Sequence, residues 1–165
     1  GLDKNLSPYA FTKAKNLEML ENLKKWFNFK YEIIYFYNVY GSKQISLGSM
    51  ATVIGIFEEQ YKKRKPLTIV KPGNQRRDFT HIDDIVRGCY LAWKKGKQKE
   101  YMLGTKKTYT ILQIARMFGG KIKFLPQRPG DRFGSTMINN NAQKILGYYA
   151  KKSIKNYIKN IVSNK

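Results

Sequence analysis

The chain has 165 residues, enough for one domain or for one domain plus a fragment of another. Its apolar content of 42% and aromatic content of 14% can support a packed core, which excludes a disordered tail. Lysine and arginine number 32 against 11 aspartates and glutamates, so the formal net charge is +21.

This charge has three possible meanings. A strongly basic chain can bind nucleic acid, can hold a phosphorylated ligand, or can be a lysine-rich protein kept soluble by its surface. Most of the basic residues are lysines, and they are scattered over every segment rather than gathered on one helix. Specific base recognition relies on arginine, and none of the usual nucleic-acid motifs is present. We therefore expect no specific nucleic-acid partner.

The single cysteine and the single histidine limit the chemistry further. Cys89 alone excludes an internal disulfide and suits a reducing compartment. Because His81 is the only histidine, we expect no metal site. The sequence shows no signal peptide and no apolar run that could span a bilayer, so we expect a soluble, cytoplasmic protein without a membrane partner.

The first segment with a chemical signature is residues 7–13. Ser7 is a good N-cap and Pro8 suits the first helical position, which predicts a helix beginning at Pro8. Tyr9 and Lys13 then lie four residues apart on one face. The lysine ammonium and the positive end of the helix dipole both favour a phenolate, which would make Tyr9 a general acid/base. The alternative is a half-buried tyrosine beside a solvated lysine.

Strand and helix signals alternate after this helix. Residues 31–37 are rich in aromatic and branched side chains and predict one buried strand. This strand runs into Asn38 and Gly41, and ligands of α/β proteins usually bind at such a strand end. An amphipathic helix is predicted from Met50, and a short strand at Leu67–Val70.

The central segment, residues 75–84, combines charged side chains with a helix start. Thr80 with Asp83 resembles a capping box, and His81 is expected in the first turn as a structural hydrogen-bonding residue. The apolar residues that follow recur at helical spacing and predict one core-facing side of the helix: Ile82, Ile85, Val86, Cys89, Tyr90 and Trp93. On that face Cys89 is expected to be a core residue rather than a nucleophile.

The remaining elements are shorter. Glu100–Leu103 is predicted as a strand, and a capping box at Thr110 predicts the helix Ile111–Phe118. Residues 121–125 alternate like an exposed strand. After a loop come two C-terminal helices, of which the first is expected to end at Gly147.

Four blocks in this order resemble the extended short-chain dehydrogenase/reductases, specifically the NAD-dependent epimerase/dehydratase family with UDP-glucose 4-epimerase as the type. The blocks are residues 7–13, 38–41, 77–84 and 128–131, and the resemblance covers essentially the whole chain. It implies an α/β fold. That fold would be the C-terminal part of a Rossmann-type parallel sheet, with the catalytic helix and the late strands, plus a small mixed α/β substrate-binding domain.

The resemblance also implies which residues are catalytic and which contact the cofactor. Tyr9 would be the acid/base and Lys13 its partner, and both would contact the cofactor NAD. Phe36 would contact the cofactor as well. Here the chain departs from the family, which often carries arginine at the position of Tyr35 and tyrosine at that of Phe36.

A second set of residues would bind the substrate, a nucleotide-diphosphate sugar. By the resemblance, Asn38 meets the sugar diphosphate and Asp131 lies near the nucleoside ribose. Arg77 and Arg128 would grip the phosphates, a role that suits guanidinium groups because they bind phosphate oxygens in pairs.

The family's Gly-rich dinucleotide fingerprint is missing from the 13 glycines of the sequence. We therefore expect residues 1–165 to be the C-terminal, substrate-binding portion of such an enzyme, without its N-terminal dinucleotide-binding half and not catalytically competent alone. The expected protein partner is a second copy or the missing half. The alternative is a non-catalytic nucleotide-sugar-binding or assembly module.

Overall fold

Three small β-sheets, each containing one parallel pair of strands, organise the described part of the chain. The computed structural model describes residues 7–127 and 139–163. Its helices are α1 (Pro8–Phe27), α2 (Val53–Lys62), α3 (Ile82–Lys95), α4 (Ile111–Phe118), α5 (Asn141–Lys144) and α6 (Ile154–Ser163). Its strands are β1 (Ile33–Phe36), β2 (Asn38–Tyr40), β3 (Leu67–Val70), β4 (Arg76–His81), β5 (Glu100–Leu103), β6 (Thr108–Thr110) and β7 (Ile122–Leu125).

The first sheet pairs β1 with β5 in parallel, from Ile33 opposite Glu100 to Phe36 opposite Leu103. Helix α3 packs against these strands. The core between them and the 142–148 segment consists of Ile85, Ala92, Tyr101, Leu103, Ala142, Leu146 and Tyr148. This confirms the expected late strands of a Rossmann-type parallel sheet.

A second core lies among the other two sheets. Strand β4 pairs in parallel with β2 and antiparallel with β6, while β3 pairs in parallel with β7. Helices α2, α4 and α6 cover these strands around Tyr40, Ile54, Phe57, Leu67, Ile69, Phe79, Ile114, Ala115, Phe118, Ile154 and Ile158. This is the expected small mixed α/β part of the fold.

Helix α1 begins as the sequence predicts and contributes no buried residue. The Ser7 hydroxyl accepts a hydrogen bond from Ala10 N at 3.2 Å, and Pro8 occupies the first turn. At the other end Trp26 and Phe27 are 68% and 72% exposed. Although α1 is long, no helix among the described residues has both the length and the hydropathy that crossing a bilayer requires.

The prediction of one strand over residues 31–37 is wrong in its extent. Strand β1 ends at Phe36 and β2 begins at Asn38, and the two belong to different sheets. The physical reason is the change of partner, because β1 pairs with β5 whereas β2 pairs with β4. Asn38 therefore begins a second strand in another sheet, two residues after the end of β1.

The predicted capping pair of α3 is also wrong. The N-cap is His81, whose Nδ1 accepts a hydrogen bond from Asp83 N at 3.1 Å. Thr80 remains extended, because β4 continues past it and pairs it with Val39 of β2. The Thr80 hydroxyl is buried and donates to Asp78 Oδ1 at 3.4 Å.

The predicted core face of α3 is buried only in part. Four of its apolar residues are between 38% and 73% exposed: Ile82, Val86, Tyr90 and Trp93. The buried side instead carries Asp84, Ile85, Gly88 and Ala92. Small residues let the helix approach β5 closely, since a Cβ on Gly88 would lie 2.4 Å from Leu103 Cδ1.

Two predicted helix bounds shift by a few residues. Helix α2 begins at Val53 rather than Met50, because the Thr52 hydroxyl caps it by accepting from Gly55 N at 3.1 Å. Helix α5 ends at Lys144, before Gly147, which has a left-handed φ of 66°.

Candidate functional site

A cavity of about 370 Å³ is lined by residues of β2, β3 and β4, by the N-terminus of α2, and by Ile111 of α4 and Leu125 of β7. Its polar lining residues are Asn38, Thr52, Thr68, Gln75 and Arg77, and the others are apolar. No carboxylate is among these described lining residues, and Arg77 is the charged one. An apolar pocket with a few polar groups and one cation suits an anionic ligand that also carries rings.

The pairing of β2 with β4 brings Asn38 and Arg77 to this one cavity. Asn38 lies opposite Phe79, and its Nδ2 donates to the Asp78 carbonyl oxygen at 3.2 Å. Arg77 is half-buried, and its Nη1 donates to the Arg76 carbonyl oxygen at 3.0 Å. Two residues from separate sequence blocks thus share a binding surface.

The N-terminus of α2 forms another part of the wall, since Ala51, Thr52 and Val53 all line the cavity. Besides capping the helix, the Thr52 hydroxyl donates to Gln44 Oε1 at 3.0 Å. The positive end of a helix dipole attracts anions. It therefore adds to the attraction that the Arg77 guanidinium exerts on negative charge.

Tyr9 and Lys13 lie side by side on the first turns of α1. The Lys13 Nζ is 5.6 Å from the centre of the Tyr9 ring, and Tyr9 is 70% exposed. Neither residue lines the cavity described above. Phe36 is 55% exposed at the end of β1, two positions before Asn38. The structure therefore brings Tyr9 and Lys13, the predicted catalytic residues, together, and Asn38 and Arg77, predicted to bind substrate, together, as two separate groups.

Two predicted site residues, Arg128 and Asp131, lie outside the described residues. The last residue of β7, Leu125, lines the cavity.

Sequence analysis assigned no role to Asp78, yet this carboxylate is the most heavily bonded side chain beside the cavity. Asp78 is 2% exposed and accepts hydrogen bonds from Thr105 N, Thr105 Oγ1 and Lys106 N at 2.7 to 3.0 Å. Its sequence signal is its place in the 77–84 block, directly after Arg77. Thr52, Thr68 and Gln75 were missed as well, because nothing local marks them as pocket residues.

His81 and Cys89 do not line the cavity. His81 caps α3, and Cys89 packs half-buried against the first core, where burial raises the pKa of its thiol. Within residues 7–127 and 139–163, no group of three or more His, Cys, Asp or Glu side chains is placed to hold a metal ion.

Comparison with known proteins supplies a family context. The sequence model described as "NAD dependent epimerase/dehydratase family" matches residues 2–104. A curated relative, UDP-glucuronate 4-epimerase of Thermodesulfobacterium geofontis, is 30% identical over 171 residues, which covers 98% of this chain and 51% of the relative.

Two solved structures are similar to this chain in both fold and sequence. One is UDP-glucose 4-epimerase from Thermotoga maritima with UDP-glucose, at 29% identity and a TM-score of 0.87, covering 95% of this chain and 52% of that one. The other is a mutant UDP-glucuronic acid 4-epimerase from Bacillus cereus in complex with UDP-4-deoxy-4-fluoro-glucuronic acid and NAD, at 28% identity and a TM-score of 0.82, covering 94% and 54%. The chain spans about half the length of the curated relatives it matches.

Proposed function

The chain belongs to the NAD dependent epimerase/dehydratase family, and from this premise we propose that residues 1–165 are the C-terminal, substrate-binding portion of a nucleotide-sugar epimerase or dehydratase of the UDP-glucose 4-epimerase type. The observation that carries the proposal is the single cavity lined by Asn38 and Arg77, which come from two separate family motifs. UDP-sugars bound to two similar enzymes support a nucleotide-diphosphate sugar as the ligand.

In this proposal the cavity binds the nucleotide sugar. The Arg77 guanidinium pairs with phosphate oxygens, aided by the N-terminus of α2, and Asn38 offers its remaining amide hydrogen-bonding capacity to the sugar diphosphate. The apolar wall takes the flat faces of the rings. Arg128 and Asp131 are assigned by the family motif to the phosphates and to the ribose.

Tyr9 is proposed as the acid/base and Lys13 as its partner. As a phenolate, Tyr9 takes the proton from a sugar hydroxyl and later returns it, while the Lys13 ammonium favours the phenolate and binds the cofactor ribose. The exposed Tyr9 ring with Lys13 beside it, and the exposed Phe36, fit the nicotinamide end of NAD. NAD, when bound, supplies the hydride acceptor and donor.

We propose that the pyrophosphate of NAD is bound by a part of the protein outside this sequence, since the 165 residues carry no Gly-rich fingerprint. We propose that α1 docks to that part or to a second copy, because several of its apolar side chains are about half or more exposed: Tyr9, Phe11, Met19, Trp26 and Phe27. A cytoplasmic location accords with the single cysteine.

A second candidate is a nucleotide-sugar-binding module without catalysis. The observation in its favour is that Tyr9 and Lys13 do not line the cavity that contains Asn38 and Arg77. Turnover separates the two candidates, because both predict binding of a nucleotide diphosphate and only the enzyme predicts epimerisation or dehydration.

The test is complementation. The 165-residue chain is assayed with UDP-glucose and NAD, alone and after fusion to the N-terminal half of the Thermotoga maritima UDP-glucose 4-epimerase. We expect no turnover by the chain alone and turnover by the fusion. Tyr9→Phe should abolish that turnover, whereas Tyr90→Phe, which alters an exposed tyrosine of α3, should preserve it. Turnover by the isolated chain, or an active Tyr9→Phe fusion, would contradict the proposal.

Calorimetry with UDP tests the cavity itself. Arg77→Ala should weaken UDP binding about tenfold or more, since a hydrogen bond to a charged group contributes about 1.5–3 kcal/mol. Arg76→Ala is the matched control, because Arg76 is the neighbouring arginine on β4 and does not line the cavity. Equal losses in both variants would show that only general charge is involved.

A further inference from the structure

We propose that Asp78 is a positioning residue for the substrate cavity. Its carboxylate holds β4 against the 104–106 turn, which follows β5, and we call this set of hydrogen bonds the Asp78 lock. The inference rests on the proposed function of the cavity and adds a residue that neither the motif assignment nor the relatives' names provide. Asp78 itself contacts no ligand in this scheme. It acts through Arg77 and Asn38.

The hydrogen bonds of the carboxylate define the lock. Thr105 N lies 3.0 Å from Oδ1 and 2.9 Å from Oδ2, Thr105 Oγ1 donates to Oδ1 at 2.7 Å, and Lys106 N donates to Oδ2 at 2.9 Å. Thr80 Oγ1 adds a longer contact to Oδ1 at 3.4 Å. With 2% exposure and these donors in place, the side chain is held in one orientation.

The positions of Asn38 and Arg77, the two predicted substrate-binding residues, both depend on Asp78 being held in place. Arg77 is the preceding residue on β4, so the path of its backbone is set where Asp78 is tied down. The Asp78 carbonyl oxygen accepts the hydrogen bond from Asn38 Nδ2 at 3.2 Å, which orients the Asn38 amide at the cavity wall. One residue therefore holds a cationic and an amide group in a common geometry, and preorganised groups of this kind are the ones that bind well.

The lock also joins the two parts of the fold. Strand β4 belongs to the three-stranded sheet that borders the cavity, whereas the 104–106 turn leaves β5 in the sheet that also carries Phe36. The close approach requires glycine at position 104, because a Cβ there would lie 2.8 Å from Asp78 Oδ2 and 3.0 Å from the Tyr37 ring. Asp78 thereby fixes the cavity relative to the strand end where the nicotinamide is proposed to bind.

Asp84 provides a matched control within the same chain. It is 3% exposed, accepts from Lys151 N and Lys152 N at 2.9 to 3.0 Å and pairs with Arg87 at 3.0 Å. Asp84 is thus a buried carboxylate bonded to two backbone amides, as Asp78 is. It ties α3 to the segment before α6, and none of these residues lines the cavity.

The experiment compares Asp78→Asn, Thr105→Val and Asp84→Asn in the 165-residue chain, well below each variant's melting temperature. In Asp78→Asn, either the side-chain NH₂ group or the weaker amide oxygen faces the Thr105 and Lys106 backbone amides in place of a carboxylate. Because this weakens the Asp78 lock, we expect UDP to bind about tenfold more weakly. Thr105→Val removes the hydroxyl bond to Asp78 but leaves the two backbone amide donors, although it also removes the hydroxyl's bonds to Lys107, and it should weaken binding about threefold. Asp84→Asn should lower the melting temperature comparably but leave the UDP dissociation constant within about twofold.

A ligand-free measurement accompanies these titrations. In ¹H–¹⁵N spectra, Asp78→Asn should shift the Asn38 side-chain amide and the Arg77 backbone amide, and Asp84→Asn should leave both in place. Equal weakening of UDP binding by Asp78→Asn and Asp84→Asn, or unshifted Asn38 and Arg77 resonances in Asp78→Asn, would overturn the inference. If the parent chain fails to bind UDP, the proposed function of the cavity fails, and the spectra still decide the role of Asp78.

Discussion

Protonation of His81 is expected to destabilise the fold, because this side chain caps α3 as a hydrogen-bond acceptor. Its Nδ1 accepts from Asp83 N at 3.1 Å, and its ring lies 5.2 Å from that of Tyr40 and 6.0 Å from that of Tyr157. Burial lowers the pKa of His81 below its ordinary 6.5. The Asp83 and Asp84 carboxylates oppose this shift, and the Lys152 ammonium reinforces it.

The magnitude follows from the loss of one cap. A protonated Nδ1 donates rather than accepts, so the Asp83 amide loses its partner, and a lost N-cap costs about 1 kcal/mol. The new attraction between the imidazolium and Asp83 returns only a few tenths of a kcal/mol, since the Asp83 side chain is 61% exposed. We expect a net loss of roughly 0.5–1 kcal/mol, which lowers the melting temperature by about 1–4 °C in a chain of this size.

The direction with pH follows from the depressed pKa. The unfolded chain binds the proton more readily than the folded chain, so unfolding takes up a proton in this range. The stabilising contribution is therefore complete above pH 6.5 and is lost as the pH falls through the folded-state pKa of His81.

Far-UV circular dichroism melts between pH 8 and pH 5, at constant ionic strength, measure the effect. His81→Asn is the control, because asparagine keeps a capping oxygen and does not titrate. The melting temperature of the parent chain should fall by about 1–4 °C more than that of His81→Asn over the same interval. If the two proteins show the same pH dependence, the capping argument is refuted.

Two further substitutions test packing and capping. Gly88→Ala should lower the free energy of unfolding by about 1–3 kcal/mol in urea titrations, because the new Cβ would lie 2.4 Å from Leu103 Cδ1. Gly120→Ala is the control, since a Cβ there makes only ordinary contacts and should change the free energy of unfolding little. Similar values for both variants would refute the overpacking argument. Thr110→Ala should cost about 1 kcal/mol, since the Thr110 hydroxyl accepts from Gln113 N at 3.0 Å, and Thr110→Ser should restore most of that loss. A Thr110→Ala variant as stable as the parent would show that the cap contributes nothing measurable.

Local signals predicted a large part of the secondary structure. The N-cap Ser7 with Pro8, the capping box at Thr110 and the largely apolar runs Leu67–Val70 and Glu100–Leu103 each lie within the element they define or next to it. Such elements can be predicted from sequence because the hydrogen bonds and periodicity that fix them are local.

Only those residues of the candidate site that belong to a family motif could be predicted from the sequence. Asn38 and Arg77 were assigned from separate blocks, and the β2–β4 pairing places both at one cavity. Tyr9 and Lys13 were predicted to be neighbours because four residues make one helical turn, and they are. The roles given to these four residues stay predictions until turnover and UDP binding are measured.

The sequence by itself therefore determined the starts of α1 and α4, the strands β3, β5 and β7, and the family motifs, all of which depend on neighbours in the chain. Tertiary structure decided that residues 31–40 divide between two sheets, since β1 and β2 pair with strands far along the chain. It also decided that α3 packs on Gly88 and Ala92 rather than on its large apolar residues, because only small side chains allow close approach to β5. The Asp78 lock belongs to the same class, since its donors Thr105 and Lys106 are distant in sequence and meet the carboxylate only when both sheets have formed.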